Sequence, residues 1–259
     1  VTEDEDLLMT SVSRTHVGRV RTLNEDNFVD RPDIGLWAVA DGMGGHDAGE
    51  VASGMLAHIL NHVDDRSTGY SFLDDVKSSI HDVNRQLIAK AEASDGAIIG
   101  STIVTLLAYQ GFFACVWAGD SRAYLLREFD FVRLTRDHSV VQEMIDTGQL
   151  TQEEAKNYGR SNVITRAVGV SAELELELNH GKILPGDRYL LCSDGLTGMI
   201  DDEEIREILL RYEPEAAADL LLETTLERGA KDNVTFIIIS VDPALDDTTL
   251  NRTQTQYFD

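Results

Sequence analysis

The sequence predicts an α+β sandwich built from antiparallel strands and separately paired helices. Between Thr102 and Leu134, apolar runs follow one another through close turns at Gln110-Gly111, Gly119-Asp120 and Glu128 to Asp130, and turns this short join antiparallel neighbours. The helical patterns fall in pairs away from these runs, so the strand-helix-strand alternation of a doubly wound parallel sheet is absent. With 259 residues, 42% of them hydrophobic, the chain can bury one large core and nothing in it demands a second domain.

Taken in order, Val12 to Val17, Asn27 to Asp30 and Leu36 to Ala40 read as short strands, followed by a glycine-rich turn over Gly42-Met43-Gly44-Gly45. A helix follows. Asp47 is its expected cap with Glu50 three residues on, and Val51, Ala52, Met55, Leu56, Ile59, Leu60 and Val63 share one face. Leu73, Val76, Ile80, Val83, Leu87 and Ala91 give a second helix, whose stripe spans too few heptads for a coiled coil and reads as core packing. The apolar tract Thr102 to Ala118 approaches membrane-spanning length, but Gln110-Gly111 interrupts it and β-branched and aromatic residues crowd both halves, which predicts a buried hairpin. Residues 137 to 158 read as an inserted helical pair: Val140, Val141, Met144 and Ile145 line the first, Gly148 stops it, and Thr151 with Glu154 boxes the start of the second. Leu174, Leu176 and Leu178 alternate with Glu173, Glu175 and Glu177, the pattern of a strand with one wet face. After a turn at Pro185-Gly186-Asp187, a buried strand ends at Ser193. Helices capped near Asp201 and starting at Pro214 precede a last strand, Asn233 to Val241. Residues 243–259 are polar and aperiodic, and read as a flexible acidic tail.

The formal charge of −24 disfavours nucleic acid and acidic membrane surfaces as partners. Phosphate chemistry remains open to so acidic a chain where bound cations reverse the local field. Cys115 and Cys192 lie in apolar runs, too few for a disulfide framework, and read as core thiols in a reducing compartment. The segment Val1 to Asp6 is acidic where a secretory signal is basic, so a cytoplasmic protein is expected.

Carboxylates stand where predicted strands meet loops: Asp41, Asp120, Asp194 and Asp232, with Glu25 and Asp26 upstream. Their oxygens are hard ligands, and without accompanying Cys or paired His they favour magnesium or manganese over zinc. Asp-Gly is also a common hairpin dipeptide. That explanation is weak for Asp41-Gly42 and Asp194-Gly195, because each leads into a loop and then a helix rather than a return strand. Close backbone approach to something bound accounts better for these glycines.

Five motifs stand in the order and spacing of the metal-dependent protein serine/threonine phosphatases of the protein phosphatase 2C type: Arg21-x-x-Asn24-Glu25-Asp26, Asp41-Gly42-Met43-Gly44-Gly45-His46, Gly119-Asp120-Ser121-Arg122, Ser193-Asp194-Gly195 and Lys231-Asp232-Asn233. From about Ser11 to Val241 the chain resembles the compact bacterial members of that family. The resemblance implies a four-layer αββα sandwich, a catalytic domain over residues 1–242 with a small helical flap at about 137–165, and a binuclear site at one end. Two tightly bound Mn2+ or Mg2+ ions and a weaker third are implied. Asp41 would bridge the two ions, with Asp194 and Asp232 completing the first; Glu25, directly or through water, and the Gly42 carbonyl would serve the second. Asp26 would position a metal-bound water, Asp120 with Asp194 would hold the third ion, and Arg21 would grip the substrate phosphate. The implied reaction is hydrolysis of phosphoserine and phosphothreonine by water or hydroxide bridging the metals. Phosphorylated proteins, among them a bacterial Ser/Thr kinase and its substrates, are the implied partners of a monomer. Met43 stands where many eukaryotic members carry a histidine proposed as general acid. His46, three residues on, is either that acid or an exposed residue at a helix start. Asn162 to Gly169, overlapping the end of the flap, keeps the family's pattern, and the flap's residues bear on substrate choice.

Overall fold

The computed structural model describes residues 7–44, 48–64, 67–94, 97–155, 158 and 163–243. In chain order the elements are β1 (Leu7–His16), β2 (Asp26–Arg31), β3 (Leu36–Gly44), α1 (Ala48–Leu60), α2 (Gly69–Ala93), β4 (Ile99–Ser101), β5 (Ile103–Tyr109), β6 (Phe112–Ala118), β7 (Arg122–Arg127), β8 (Asp130–Arg133), α3 (Val140–Asp146), α4 (Gln152–Ala155), β9 (Glu177–Lys182), β10 (Arg188–Cys192), α5 (Asp194–Thr197), α6 (Asp202–Arg211), α7 (Pro214–Glu227) and β11 (Val234–Pro243). One sheet runs β1-β11-β10-β7-β8 and the other β2-β3-β5-β6-β9, with β4 added beside β3. Every strand pairing is antiparallel.

Two sheets and two helical layers make three apolar seams, which explains why the central strands are hydrophobic on both faces. Between the sheets, Trp37, Val104, Leu106, Tyr189, Leu191, Ile237 and Ile239 interlock. Their strand neighbours point outward: Leu36, Ala38 and Ile103 meet Leu56, Val76, Ile80 and Leu87 of α1 and α2, while Leu190, Phe236 and Ile238 meet Ile205, Leu209 and Leu221 of α6 and α7. Period-two alternation along each strand thus feeds two different seams. The stripe expected on the second helix is the buried face of α2, and Thr68 opens that helix with a capping box to Ser71. Thr151 and Glu154 form the expected box at α4, the Glu154 carboxylate accepting from Thr151 N–H at 2.8 Å. Asp47, the expected cap of α1, lies outside the described residues.

Four expectations need correction. Gly42 to Gly44 is not a turn: β3 continues through it, because β4 supplies a partner with Gly42 opposite Ser101. The Gly119-Asp120 turn is no hairpin either, since it carries the chain from β6 in one sheet to β7 in the other. The strand expected at 173–178 begins only at Glu177, and its apolar alternation is inverted there, with Leu178 exposed. The inward places go to Glu177 and Asn179, whose side chains bond His138 and the Leu134 carbonyl. Last, β11 runs to Pro243, opposite Leu7, so pairing extends one residue into the expected tail; the rest of that tail lies outside the described residues. Among the described residues no helix is long and apolar enough to cross a membrane. Cys115 and Cys192 are free and buried, and burial pushes the Cys192 thiol up to about 12.

Candidate metal centre

The antiparallel registers bring the predicted carboxylates to one pole of the sandwich. Asp26, the first residue of β2, lies directly opposite Asp41 near the end of β3. In the facing sheet β10 and β11 are antiparallel neighbours, so Asp194 just past one and Asp232 just before the other share an end. The crossover from Ala118 to Arg122 passes over this same end and delivers Asp120.

Local bonds set each group. Asp41 is clamped by Thr102, whose hydroxyl accepts from Asp41 N–H at 3.0 Å while its own N–H donates to the Asp41 carbonyl at 2.8 Å. The Glu25 carbonyl accepts from Gly42 N–H at 3.1 Å and from the Ser53 hydroxyl. Only glycine fits at Gly42, where a Cβ would collide with the carbonyl oxygens of Gly49 and Glu25. Asp26 is buried; Oδ2 accepts from the Ser193 hydroxyl at 2.9 Å, but Oδ1 has no hydrogen-bond partner among the described residues. Arg21 donates through NH2 to Asp232 Oδ2 at 2.7 Å.

The electrostatics are those of carboxylates buried first and set beside like charges second. Burial, then the charges of Asp26, Asp194, Asp120 and Asp232, hold the Asp41 carboxyl well above the usual range. Burial and neighbouring aspartates push Asp26 up to about 7 against the pull of the nearby Thr235 and Ser193 hydroxyls. Asp120 rises to about 7, chiefly by burial and by Asp194, and Asp194 to about 6, by burial and Asp232. Among the described residues no three His, Cys, Asp or Glu side chains close into a cage around one point; the carboxylates form an open ring. Its donors are all oxygen, its members oppose one another's ionisation, and one buried oxygen is orphaned. Divalent hard cations answer each of these features, so the residues fit magnesium or manganese.

Comparison with known proteins agrees with this chemistry. A family model described as protein phosphatase 2C matches residues 10–144. The serine/threonine phosphatase stp of Listeria monocytogenes is 35% identical over 238 residues, 88% of this chain and 94% of that protein. The chain belongs to the protein phosphatase 2C family. PstP of Mycobacterium tuberculosis is 37% identical over 91% of this chain, which spans only 45% of that longer protein. The crystal structure of the PstP catalytic domain in complex with two manganese ions superposes with a TM-score of 0.83, at 36% identity, covering 92% of this chain and all of that one. PppA of Pseudomonas aeruginosa, described as a key regulatory component of T6SS, gives a TM-score of 0.84 at 39% identity, over 91% of this chain and 100% of that chain.

Within this protein phosphatase 2C fold, the structure gathers Arg21, Glu25, Asp26, Asp41, Gly42, Asp120, Asp194 and Asp232 at one pole, while His46 lies outside the described residues. Three supporting side chains had no role assigned from sequence. Asn233 joins the ends of the ring: its Oδ1 accepts from Glu25 N–H at 2.8 Å and its Nδ2 donates to the carbonyls of Val17 and Leu23, at 2.9 Å each. Arg122 forks onto Asp137 and lowers the carboxyl pKa of both Asp120 and Asp194. His138 bonds Gly119 beside Asp120. The first two stand inside quoted motifs, where position next to a ligand was the available signal; His138 stands in none.

Proposed function

We propose that this chain is a protein serine/threonine phosphatase that hydrolyses phosphoserine and phosphothreonine with the help of two divalent cations. The observation that carries the reading is the set of buried, mutually destabilising carboxylates at one pole, which includes an Asp26 oxygen without a hydrogen-bond partner and lies where Arg21 meets Asp232. Asp41 would hold both ions, Asp194 and Asp232 the first, and Glu25 with the Gly42 carbonyl the second. Asp120 and Asp194 would hold a weaker third. Such ions, Mn2+ or Mg2+, would supply Lewis acidity, making bound water more acidic and shielding phosphate oxygens.

The chain's own groups do the rest. Asp26 Oδ1 is a fixed acceptor, suited to orient the attacking water. Arg21 offers a planar fork to phosphate, and its tie to Asp232 engages NH2 alone, so the guanidinium is pre-aimed at modest entropy cost. His46 keeps both of its readings, leaving-group acid or exposed helix start. A cytoplasmic role opposing a Ser/Thr kinase belongs to the same proposal.

The test compares a phosphothreonine peptide, a phosphorylated Ser/Thr kinase and a small aryl phosphate, with manganese and with chelator. Turnover of the peptide and the kinase should vanish on chelation and return with manganese. Full turnover by metal-stripped protein would sink the mechanism, and turnover of the aryl phosphate alone would move the substrate class to small phosphoesters.

A further inference from the structure

His138 is a buried imidazole, 6% exposed, immediately before α3 where the chain leaves β8 for the helical pair. It bonds Gly119 twice: His138 N–H donates to the Gly119 carbonyl at 2.9 Å, and Gly119 N–H donates to ring Nδ1 at 3.1 Å. The other ring nitrogen, Nε2, lies 3.0 Å from Glu177 Oε1 on β9, and the ring stacks on Trp117 of β6 with centroids 6.2 Å apart. On the returning side of the flap, Thr165 N–H donates to the His138 carbonyl at 2.8 Å, and Arg166 NH1 lies 3.4 Å from both His138 Nε2 and Glu177 Oε1.

These contacts define the ring's state. Nδ1 accepts a hydrogen bond, so it is bare, and the proton of a neutral imidazole sits on Nε2 and points at the Glu177 carboxylate. Burial holds the ring's pKa below its ordinary value, in keeping with neutrality. Gly119 meanwhile has φ +119, and a Cβ there would strike the Thr102 side chain. Glycine adopts such a backbone without steric cost but has no strong preference for it, so the setting of Gly119 is fixed by the bonds around it. Both polar groups of Gly119 are met by one residue, His138, and the next residue is Asp120.

We propose that His138 is a positioning residue: its paired bonds to Gly119 set the crossover that aims Asp120 into the carboxylate ring, and its bonds to Thr165 and Glu177 tie that setting to the seating of the flap. This rests on the reading of Asp120 as the ligand of the weakest cation, and deepens the phosphatase proposal by linking flap and metal pole through the main chain and ring of one residue.

Two near-isosteric substitutions separate the functions of the ring. Asparagine places an amide oxygen where Nδ1 accepts from Gly119, whereas glutamine reaches toward the Nε2 position and leaves Gly119 N–H without its acceptor. His138→Asn, His138→Gln and His138→Ala are compared in the full chain by amide hydrogen exchange of the metal-free protein, by calorimetric Mn2+ binding and by phosphopeptide kinetics. The Gln and Ala variants should weaken the weakest Mn2+ site roughly tenfold, within the range seen when groups supporting a ligand are removed, and leave the two tighter sites unchanged. They should also raise exchange at Gly119 to Ser121, with Ile164 to Arg166 rising in step, and lower kcat more than they change KM. The Asn variant should stay within about threefold of the parent in Mn2+ affinity. Equal behaviour of Asn and Gln, or a weakest site indifferent to all three variants, overturns the proposal. A parent protein inert toward phosphopeptides but showing the predicted exchange and Mn2+ pattern overturns the phosphatase reading and upholds the positioning role.

Discussion

Asp41 has its main chain held by Thr102 and its carboxyl buried and then crowded by four aspartates, so its side chain costs folding energy that a bound cation would recover. Replacing it with a neutral isostere separates the two effects. Asp41→Asn should abolish phosphopeptide turnover and tight Mn2+ binding, yet raise the stability of the metal-free protein at pH 8 by roughly 0.5–2 kcal/mol, the usual range of a stabilising substitution. Chelated denaturant curves and calorimetric Mn2+ titration read both signs; a destabilised variant would mean that Asp41 makes structural bonds worth more than its repulsion. Arg21 offers the opposite case, being half exposed and anchored by one ion pair of the screened surface kind. Arg21→Ala should therefore leave the melting temperature nearly unchanged while raising KM for phosphopeptides about tenfold, the effect of losing one charge-assisted phosphate contact. Unchanged kinetics would remove Arg21 from the site.

The elements show which signals a sequence carries and which it withholds. The stripe Val76, Ile80, Val83 and Leu87 was legible because a helix supplies its own hydrogen bonds, so local periodicity suffices. The carboxylates were legible because motif order located them in the chain. What local pattern could not report was the partner of each strand: nothing near Gly42 indicates that Ile99 to Ser101 will pair there, nor does Gly119-Asp120 differ locally from a hairpin turn. The Leu/Glu alternation before β9 failed for a related reason, since long-range bonds from His138 and to the Leu134 carbonyl reward polar groups inside. The continuation of β3 carries its own prediction. Gly42 lies against both Gly49 of α1 and Glu25, so Gly42→Ala must part strand from helix and displace Glu25. The cost expected of such overpacking, ~1–3 kcal/mol, should appear as a lower denaturation midpoint at unchanged m, together with lost turnover. An alanine variant with parental stability would show that β3 and α1 can separate freely.

At the scale of the whole molecule two sources of charge repulsion act, and pH separates them. The formal charge of −24 is spread over the chain and is screened by salt. The ring is different: Asp26 and Asp120 titrate near 7 and Asp194 near 6 in the folded, metal-free protein, against about 3.9 for an unfolded aspartate. The folded state therefore holds protons that the unfolded chain has released, and stability falls as pH rises where that is so. The contribution is complete below about pH 4 and is lost as pH climbs through roughly 6 to 7. Carboxylates of the unfolded chain ionise near 4, so the clean window lies above about pH 5. Cations bind the deprotonated ring, so their stabilisation should grow across the same window. Scanning calorimetry in chelator should show the melting temperature falling between about pH 5.5 and 8, whereas excess manganese should hold it level or raise it. Adding salt to the chelated protein should relieve the diffuse repulsion but leave most of this slope, because the ring is largely shielded from mobile ions. A manganese-dependent gap that stays constant with pH would mean that the ions bind without displacing protons, and the carboxylate ring would then not be their site.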